Sequence, residues 1–206
     1  MIGLCTPVSR GNLTDTHGLD MLDCEAHANY NANPAAAADA VKDFSAAGFR
    51  LGRKVTKGNL VRCLAVVNAS AGQHAPVAGF VLNSTDDVVL QECIAAGQGH
   101  IGERPAHWQG PAGFIASVVL ADDAGLPIGG RRNAFLDCVA DASASEYLPD
   151  PLPMATTSPD AIAFLLQGQH GGVLSGCDSR ELVTASCEDM QIEGNIWHDA
   201  AGPALF

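Results

Sequence analysis

Positive charge is scarce in this chain. The 206 residues include 11 lysines and arginines against 23 aspartates and glutamates, which gives a formal net charge of −12. Proteins that bind nucleic acid draw most of their affinity from basic side chains on phosphates, and anionic membrane surfaces attract basic segments. The charge balance therefore predicts no direct contact with nucleic acid and no docking on a membrane.

Long hydrophobic runs and a leader pattern are also missing. No apolar run approaches the roughly 18 residues that a membrane-crossing helix needs. The first seven residues, ending at Pro7, have neither the basic n-region nor the apolar h-region of a signal peptide. We therefore expect a protein that is made in the cytoplasm without an export signal.

Several motifs that mark catalytic or cofactor sites are absent. The chain has no Cys-x-x-Cys pair, which disfavours zinc ribbons and thioredoxin-type redox chemistry. It has no Gly-x-Ser-x-Gly elbow and no Walker-type phosphate loop. From these absences we predict a protein that is not an enzyme and holds no cofactor.

Seven cysteines are present in spite of the missing motifs, at positions 5, 24, 63, 93, 138, 177 and 187. Cys63, Cys138 and Cys187 fall in strand-like runs, on the same face as alanine, valine or leucine, and are predicted to be core residues. Cys5 and Cys24 lie in irregular segments and are the candidates for disulfides between subunits. The odd count leaves at least one thiol free or paired between chains.

Short apolar runs separated by turn residues predict a mainly β fold, either a β-sandwich or a partly open barrel. The first strands are expected at 60–67, 77–83, 88–94, 114–121 and 133–140. Closing strands are expected at 171–177, 182–187 and 190–197. Two short helices are predicted at 34–47 and 159–167, because each opens on a capping residue followed by proline. No internal repeat is visible.

The domain organisation follows from the same pattern. Residues 1–33 are predicted to form an N-terminal arm, and residues 34–206 a single β-rich domain. The proline-rich segment 147–153 is expected to be extended, as a second arm within that domain.

Subunit contacts are the interaction that the residue types favour. Charged residues make up only 17% of the chain, and a surface short of charge is typical of one covered by neighbouring subunits. Tryptophans are frequent interface anchors, and a basic cluster on an acidic chain can pair with an acidic neighbour. The interface candidates are Trp108, Trp197, Arg50, Arg53 and Lys54.

Two weaker patterns point to chemistry instead. His17, Cys24 and His27 would share one face of a helix and carry ligand types that zinc accepts. Cys177 follows His170 closely and could form a cysteine–histidine pair.

The function predicted from the sequence is a structural assembly protein: a bacteriophage virion accessory subunit in the capsid decoration, neck or tail. Its partners would be other protein subunits, in a homo-oligomer or a larger assembly. One alternative is a small cysteine- or metal-dependent hydrolase or transferase. A further alternative is a carbohydrate-binding β-sandwich.

Overall fold

The structure is a computed structural model that describes residues 16–27, 29–31, 46–52, 55–70, 77–100, 111–118, 120–142, 156–157, 162–179, 182–198 and 204–205. These residues form 26 short β-strands and no helix. The strands are β1 Thr16–His17, β2 Asp20–Leu22, β3 Glu25–His27, β4 Tyr30–Asn31, β5 Ala46–Gly52, β6 Val55–Thr56, β7 Asn59–Val61, β8 Leu64–Val66, β9 Ala69–Ser70, β10 Val77–Asn83, β11 Val89–Gln91, β12 Ile94–Ala96, β13 Gly99–His100, β14 Ala112–Ser117, β15 Leu120–Ala121, β16 Pro127–Ile128, β17 Ala134–Leu136, β18 Val139–Ala142, β19 Thr156–Thr157, β20 Ile162–Gln167, β21 Val173–Ser175, β22 Asp178–Ser179, β23 Leu182–Ala185, β24 Gln191–Glu193, β25 Ile196–Trp197 and β26 Ala204–Leu205.

The strands stack as successive coils of a parallel β-solenoid. Sheet A has the order β2-β7-β11-β17-β21-β24, sheet B has β3-β8-β12-β18-β22-β25, and sheet C has β5-β10-β14-β20-β23-β26. Every pairing within these three sheets is parallel. One turn of the chain thus adds one strand to each sheet. We number the coils 1 (16–31), 2 (46–70), 3 (77–100), 4 (112–142), 5 (162–179) and 6 (182–197), and β26 pairs with β23 beyond coil 6 in sheet C.

A sharp corner joins sheet A to sheet B in every coil. Its residue has a positive φ, near 50° at Asp23, Arg62, Glu92 and Asp137 and near 65° at Gly176. The Arg62 N–H, for example, donates to the Gln91 carbonyl of the next coil. In coils 1 to 5 a cysteine directly follows this corner residue. The corner therefore has a four-residue sequence pattern: an inward apolar residue, an outward residue, the corner residue and cysteine.

The core contains columns of like side chains contributed by successive coils. Phe49, Phe80, Phe114 and Phe164 stack along sheet C, with ring centroids 5.0, 4.9 and 4.8 Å apart. That spacing is the distance between neighbouring strands, so in-register parallel pairing produces the stack directly. Phe135 packs edge-on against Phe114 and Phe164.

Sheets B and C lie close together along a column of glycines. A Cβ placed on Gly79 would lie 2.8 Å from the Ala95 Cβ and 2.9 Å from the Gly113 carbonyl oxygen. Gly48 and Gly113 are equally tight against alanines of sheet B. Only glycine fits these positions. The small distance between sheets B and C therefore depends on glycine in sheet C facing alanine in sheet B.

Buried amides satisfy the backbone at two other corners. The Asn133 carbonyl oxygen accepts from the Thr85 hydroxyl and the Val88 N–H, while its amide group donates to Thr85 and Gln169. Asn68 donates to the Gln98 side chain of the next coil at 2.8 Å. These residues are buried, and the hydrogen bonds offset the cost of removing their amides from water.

The mainly β prediction is confirmed, but the sandwich or barrel type is wrong. A sandwich of that kind pairs its strands antiparallel, whereas the three large sheets here are parallel. The predicted strands 60–67, 88–94 and 133–140 are each two strands separated by a corner at Arg62, Glu92 or Asp137. Because each segment was predicted as one continuous strand, neither the change of sheet at the corner nor the repeat of the coils was recognised.

The second predicted helix is also wrong, because Ile162–Gln167 is strand β20 in the middle of sheet C. Stacking of Phe164 and Leu166 in the core overrides the capping signal before them. Of the first predicted helix, Ala46 and Ala47 begin strand β5, and 34–45 lie outside the described residues.

The predicted arms fare differently. Residues 16–31 supply β1 to β4 and belong to the solenoid as its first coil. The segment 147–153 lies outside the described residues, as do 1–15.

Candidate functional site

A groove of about 690 Å³ lies beside the one hairpin that interrupts the described coils. Its floor carries Arg131, His170 and Glu188, and its walls include Val118, Pro127 and Ser186. Its volume falls within the range of small-molecule sites. Insertions on one face of a solenoid often mark the binding face. We therefore regard this groove as the candidate functional site.

The hairpin that forms one wall is held by its own turn. Strands β15 and β16 pair antiparallel, and the Asp122 carboxylate accepts from the N–H groups of Ala124 and Leu126 at 2.9 and 2.8 Å. The chain returns to the solenoid through Gly129, whose φ is 86° and whose Cβ would meet the Ser84 backbone at 2.5 Å. This glycine lets the hairpin fold close against coil 3.

The groove floor is a row of polar residues at a second corner of the coil. Single backbone bridges join Thr56, Asp86, Arg131, His170 and Glu188 in successive coils. The His170 Nδ1 lies 3.6 Å from a Glu188 oxygen and 3.8 Å from an Asp189 oxygen. The described residues place no carboxylate within ion-pairing distance of the Arg131 guanidinium. The floor therefore offers a donor at Arg131 and acceptors at Glu188 on opposite sides of an imidazole.

The guanidinium of the neighbouring arginine, Arg132, is already paired with a carboxylate. Arg132 forms a bidentate pair with Asp87, with both N–O distances at 2.6 Å. This hydrogen bond, with the nearby charge, lowers the pKa of Asp87. Arg131 and Arg132 are adjacent in sequence and both exposed, but of these two only Arg132 is paired with a carboxylate among the described residues.

A second chemical feature is the cysteine column, which comprises Cys24, Cys63, Cys93, Cys138 and Cys177, one from each of coils 1 to 5. The last four are fully buried, and Cys24 is half-buried. Burial raises the pKa of the Cys138 thiol, and contact with Cys177 and Cys93 raises it further. Cys138 is therefore a neutral thiol within the core.

Each of the four buried thiols of the column has a backbone partner in the preceding coil. The Cys93 thiol donates to the Leu60 carbonyl at 3.3 Å, and the Cys138 thiol donates to the Leu90 carbonyl at 3.5 Å. In coil 6 the same position holds Asn195, whose amide donates to the Leu174 carbonyl at 3.0 Å. The corner thus holds a side-chain donor in coils 2 to 6, supplied by cysteine in coils 2 to 5 and by Asn195 in coil 6.

The core prediction holds for Cys63 and Cys138, which are fully buried, while Cys187 is half-buried at another corner. The expected strand faces were wrong, because the corner residue shifts the phase by one. Cys63 shares the interior with Leu60 and Ala65, whereas Val61 points outward.

The predicted metal ligands do not converge in the structure. His17 contacts the Thr56 hydroxyl, the Cys24 thiol contacts the Leu22 carbonyl, and His27 lies 2.9 Å from Glu25. Within the described ranges, no group of three histidine, cysteine, aspartate or glutamate side chains is placed to hold a metal ion.

The suggested cysteine–histidine pair is not assembled either. The Cys177 thiol is fully buried and donates to the Phe135 and Ser175 carbonyls. His170 is exposed and lies at the groove corner before strand β21, whereas Cys177 lies at the corner after that strand.

The interface candidates are only partly described. Arg50 lies half-buried in β5, in register with Val81, and Trp197 is the last residue of β25. Trp108, Arg53 and Lys54 lie outside the described residues, and so does Cys5.

Residues 97–102 carry the spacing Gly-x-Gly-x-x-Gly, a feature that the sequence reasoning overlooked. In a dinucleotide site this spacing opens a helix after a strand. Here Gly97 has a φ of 63° at a solenoid corner, and Gly99 begins strand β13. In the described residues, the first two glycines of this pattern therefore form a corner and a strand of the solenoid.

Comparisons with known proteins return no match: no family model, no curated protein and no solved structure resembles this chain. Among the residues described, no helix has the length and apolar character to cross a membrane.

Proposed function

We propose that this chain is a structural β-solenoid subunit that acts through subunit–subunit contacts at the ends of its stack. The observation that carries the proposal is the state of the end coils. Leu22 in coil 1 and Ile196 in coil 6 are 59% and 56% exposed. Both side chains lie on the outward face of their coil, in register with Val61 and Asp178, and a further coil stacked on either end would cover one flank of each.

Within the described residues, the core is less completely covered toward both ends. Leu60, Leu90, Phe135 and Leu174 form an interior column and are at most 1% exposed. At either end this column continues into Met21, 7% exposed, and into Ile192, which is only partly buried. A coil from another subunit stacked on either end would continue the column and remove its apolar surface from water.

The backbone supports the same type of contact. Within the described part, β5 and β26 each pair on one side only in sheet C, and the end strands of sheets A and B do the same. Edge strands present hydrogen-bonding groups to a further strand. Axial stacking would therefore add both backbone pairing and apolar burial.

The setting proposed for this role is a virion: an accessory subunit of a bacteriophage capsid decoration, neck or tail. A rod that grows by stacking suits a mechanical part that joins copies of itself or other subunits. The net charge of −12 favours protein partners over nucleic acid.

Light scattering coupled to size exclusion tests the stacking. We expect the wild type to exceed the monomer mass at micromolar concentration, and Ile196→Glu to shift it toward the monomer. Leu126→Glu is the matched control, since Leu126 is 62% exposed on the hairpin, away from both ends. A wild type that stays monomeric and binds no particle would refute the proposal.

The groove supports ligand binding as a second candidate function. Its alternation of donors and acceptors at Arg131, His170 and Glu188, beside the apolar Val118 and Pro127, suits a hydroxyl-rich ligand such as a carbohydrate. Hydroxyl groups both donate and accept, while sugar ring faces pack on apolar surface.

Calorimetric titration with a neutral linear hexasaccharide tests this function. We expect Arg131→Ala to weaken binding about tenfold, as loss of one charged hydrogen bond implies. Arg132→Ala is the matched control and should bind as the wild type does, because Arg132 is committed to Asp87. Absence of heat with the wild type would remove the carbohydrate function and leave the assembly proposal untouched.

A further inference from the structure

We propose that Cys24 and Cys63 are a modification site: a low-molecular-weight disulfide converts them into a disulfide that links coils 1 and 2, with Cys24 attacked first. This differs from the sequence prediction that Cys24 bonds to another subunit. It also stands apart from the proposed stacking and groove functions.

The register of the sheets places the two cysteines opposite each other. Leu22 pairs with Val61 in sheet A, and Glu25 pairs with Leu64 in sheet B. The corner between these pairs therefore aligns Cys24 with Cys63 at the spacing of adjacent strands, about 4.8 Å. Disulfides span Cα separations of roughly 4.4–6.8 Å, so the strand spacing lies within the range of Cα separations that a disulfide can bridge.

The two thiols also point the same way. The Cys24 Sγ lies 3.4 Å from the Leu22 carbonyl, and the Cys63 Sγ lies 3.6 Å from the Val61 carbonyl. Each thiol thus contacts the carbonyl two residues earlier, which fixes a common side-chain orientation. Cys63 also reaches toward the Met21 carbonyl of coil 1 at 3.8 Å, which directs its sulfur toward the coil that carries Cys24.

Access distinguishes Cys24 from the rest of the cysteine column. Cys24 is half-buried, whereas Cys63 and Cys93 are fully buried. Contact with the Cys93 thiol, together with burial, raises the pKa of Cys63, which makes it a poor first nucleophile. In the described ranges the strands flanking Cys24 pair with coil 2 alone, whereas the strands flanking Cys93 pair with a coil on each side.

The chemistry is two thiol–disulfide exchanges with oxidised glutathione as the oxidant. The Cys24 thiolate attacks one sulfur of oxidised glutathione, forms a mixed disulfide and releases one glutathione thiolate. Cys63 then loses its proton, attacks the Cys24 sulfur and expels the second glutathione. The two protein thiols lose two electrons and two protons, and one oxidised glutathione becomes two reduced glutathiones.

Cys187 provides an internal comparison, since it is the other half-buried cysteine. Its thiol donates to the Leu166 carbonyl, and its corner neighbour in coil 5 is Gln169 instead of a cysteine. Glutathione attached to Cys187 would therefore not be displaced by a stacked thiol.

The experiment incubates the folded protein with oxidised glutathione, quenches with acid and maps the peptides by mass spectrometry. In the wild type we expect a Cys24–Cys63 disulfide and no Cys24–glutathione adduct. In Cys63→Ser the adduct on Cys24 should accumulate, and in Cys93→Ser the Cys24–Cys63 bond should form as in the wild type.

Three outcomes would overturn the proposal. They are a Cys24–glutathione adduct that persists in the wild type, a bond from Cys24 to Cys5 or to another chain, and Cys24 recovered as the free thiol. Circular dichroism checks that each variant is folded. If Cys63→Ser does not fold, the peptide map of the wild type alone decides between the predicted bond and these outcomes.

Discussion

Phe114 occupies the centre of the phenylalanine stack, and its replacement gives a quantitative test of how the solenoid is held together. Its ring lies 4.9 Å from Phe80 and 4.8 Å from Phe164, and it meets Phe135 edge-on at 6.0 Å. The side chain is fully buried. Phe49, at the end of the stack and 2% exposed, has Phe80 as its stacked partner at 5.0 Å.

The magnitude follows from these contacts. Replacing a core phenylalanine by alanine costs about 3–5 kcal/mol. An aromatic pair contributes about 0.5–1.5 kcal/mol beyond area burial. We therefore expect Phe114→Ala to destabilise by about 5 kcal/mol and Phe49→Ala by about 3–4 kcal/mol. Phe114→Leu keeps most of the volume and should cost about 1–2 kcal/mol.

Urea unfolding followed by far-ultraviolet circular dichroism measures these differences. A loss of about 5 kcal/mol is a third or more of the stability of an ordinary domain, so Phe114→Ala should show a strongly lowered midpoint. The reasoning fails if the two alanine variants lose equal stability, or if Phe114→Ala loses less than about 2 kcal/mol. Either result would mean that the rings do not form a continuous stack.

Two further predictions concern the close approach of the sheets and an exposed ion pair. Gly79→Ala should cost about 1–3 kcal/mol in urea unfolding, because its Cβ has no room, whereas Gly52→Ala, with nothing within 4 Å of the new Cβ, should be near neutral. Equal costs would contradict the tight packing. Because Arg132 lowers the folded pKa of Asp87, their pair stabilises the fold above the usual aspartate pKa, and that stabilisation is lost as pH falls through the folded value. Asp87→Asn should therefore flatten the acid limb of a stability–pH profile, and Asp123→Asn on the exposed hairpin should leave it unchanged.

The location of β-strands could be predicted from the sequence, whereas their arrangement could not. Val77–Asn83 is a strand with the predicted bounds. The predicted strand 60–67 fails at Arg62, where an ordinary residue adopts a positive φ and turns the chain into the next sheet. Nothing intrinsic to arginine signals that turn. The hydrogen bond from its N–H to the next coil stabilises it, and that contact exists only once the coils have stacked.

The candidate groove lay beyond sequence reasoning for a related reason. Arg131, His170 and Glu188 come from three coils and meet only through their register in the stack. The cysteine column could have been found, since an apolar residue three positions before cysteine recurs at Cys24, Cys63 and Cys93. Insertions of different length between the coils remove any fixed period, which is why the repeat was overlooked.

The in-register pairing of distant segments also determines how the chain must fold. Leu60 pairs with Leu90, and Leu90 pairs with Phe135. Each pairing between successive coils therefore closes a long loop of the chain. A first coil bears that entropy cost without a neighbour to pair with, and folding should be slow for this reason. After two coils have stacked, each added coil gains a strand in all three sheets. Nucleation is therefore expected in the central coils around Phe114, with growth toward both ends, and the amides of coils 1 and 6 should exchange with solvent first.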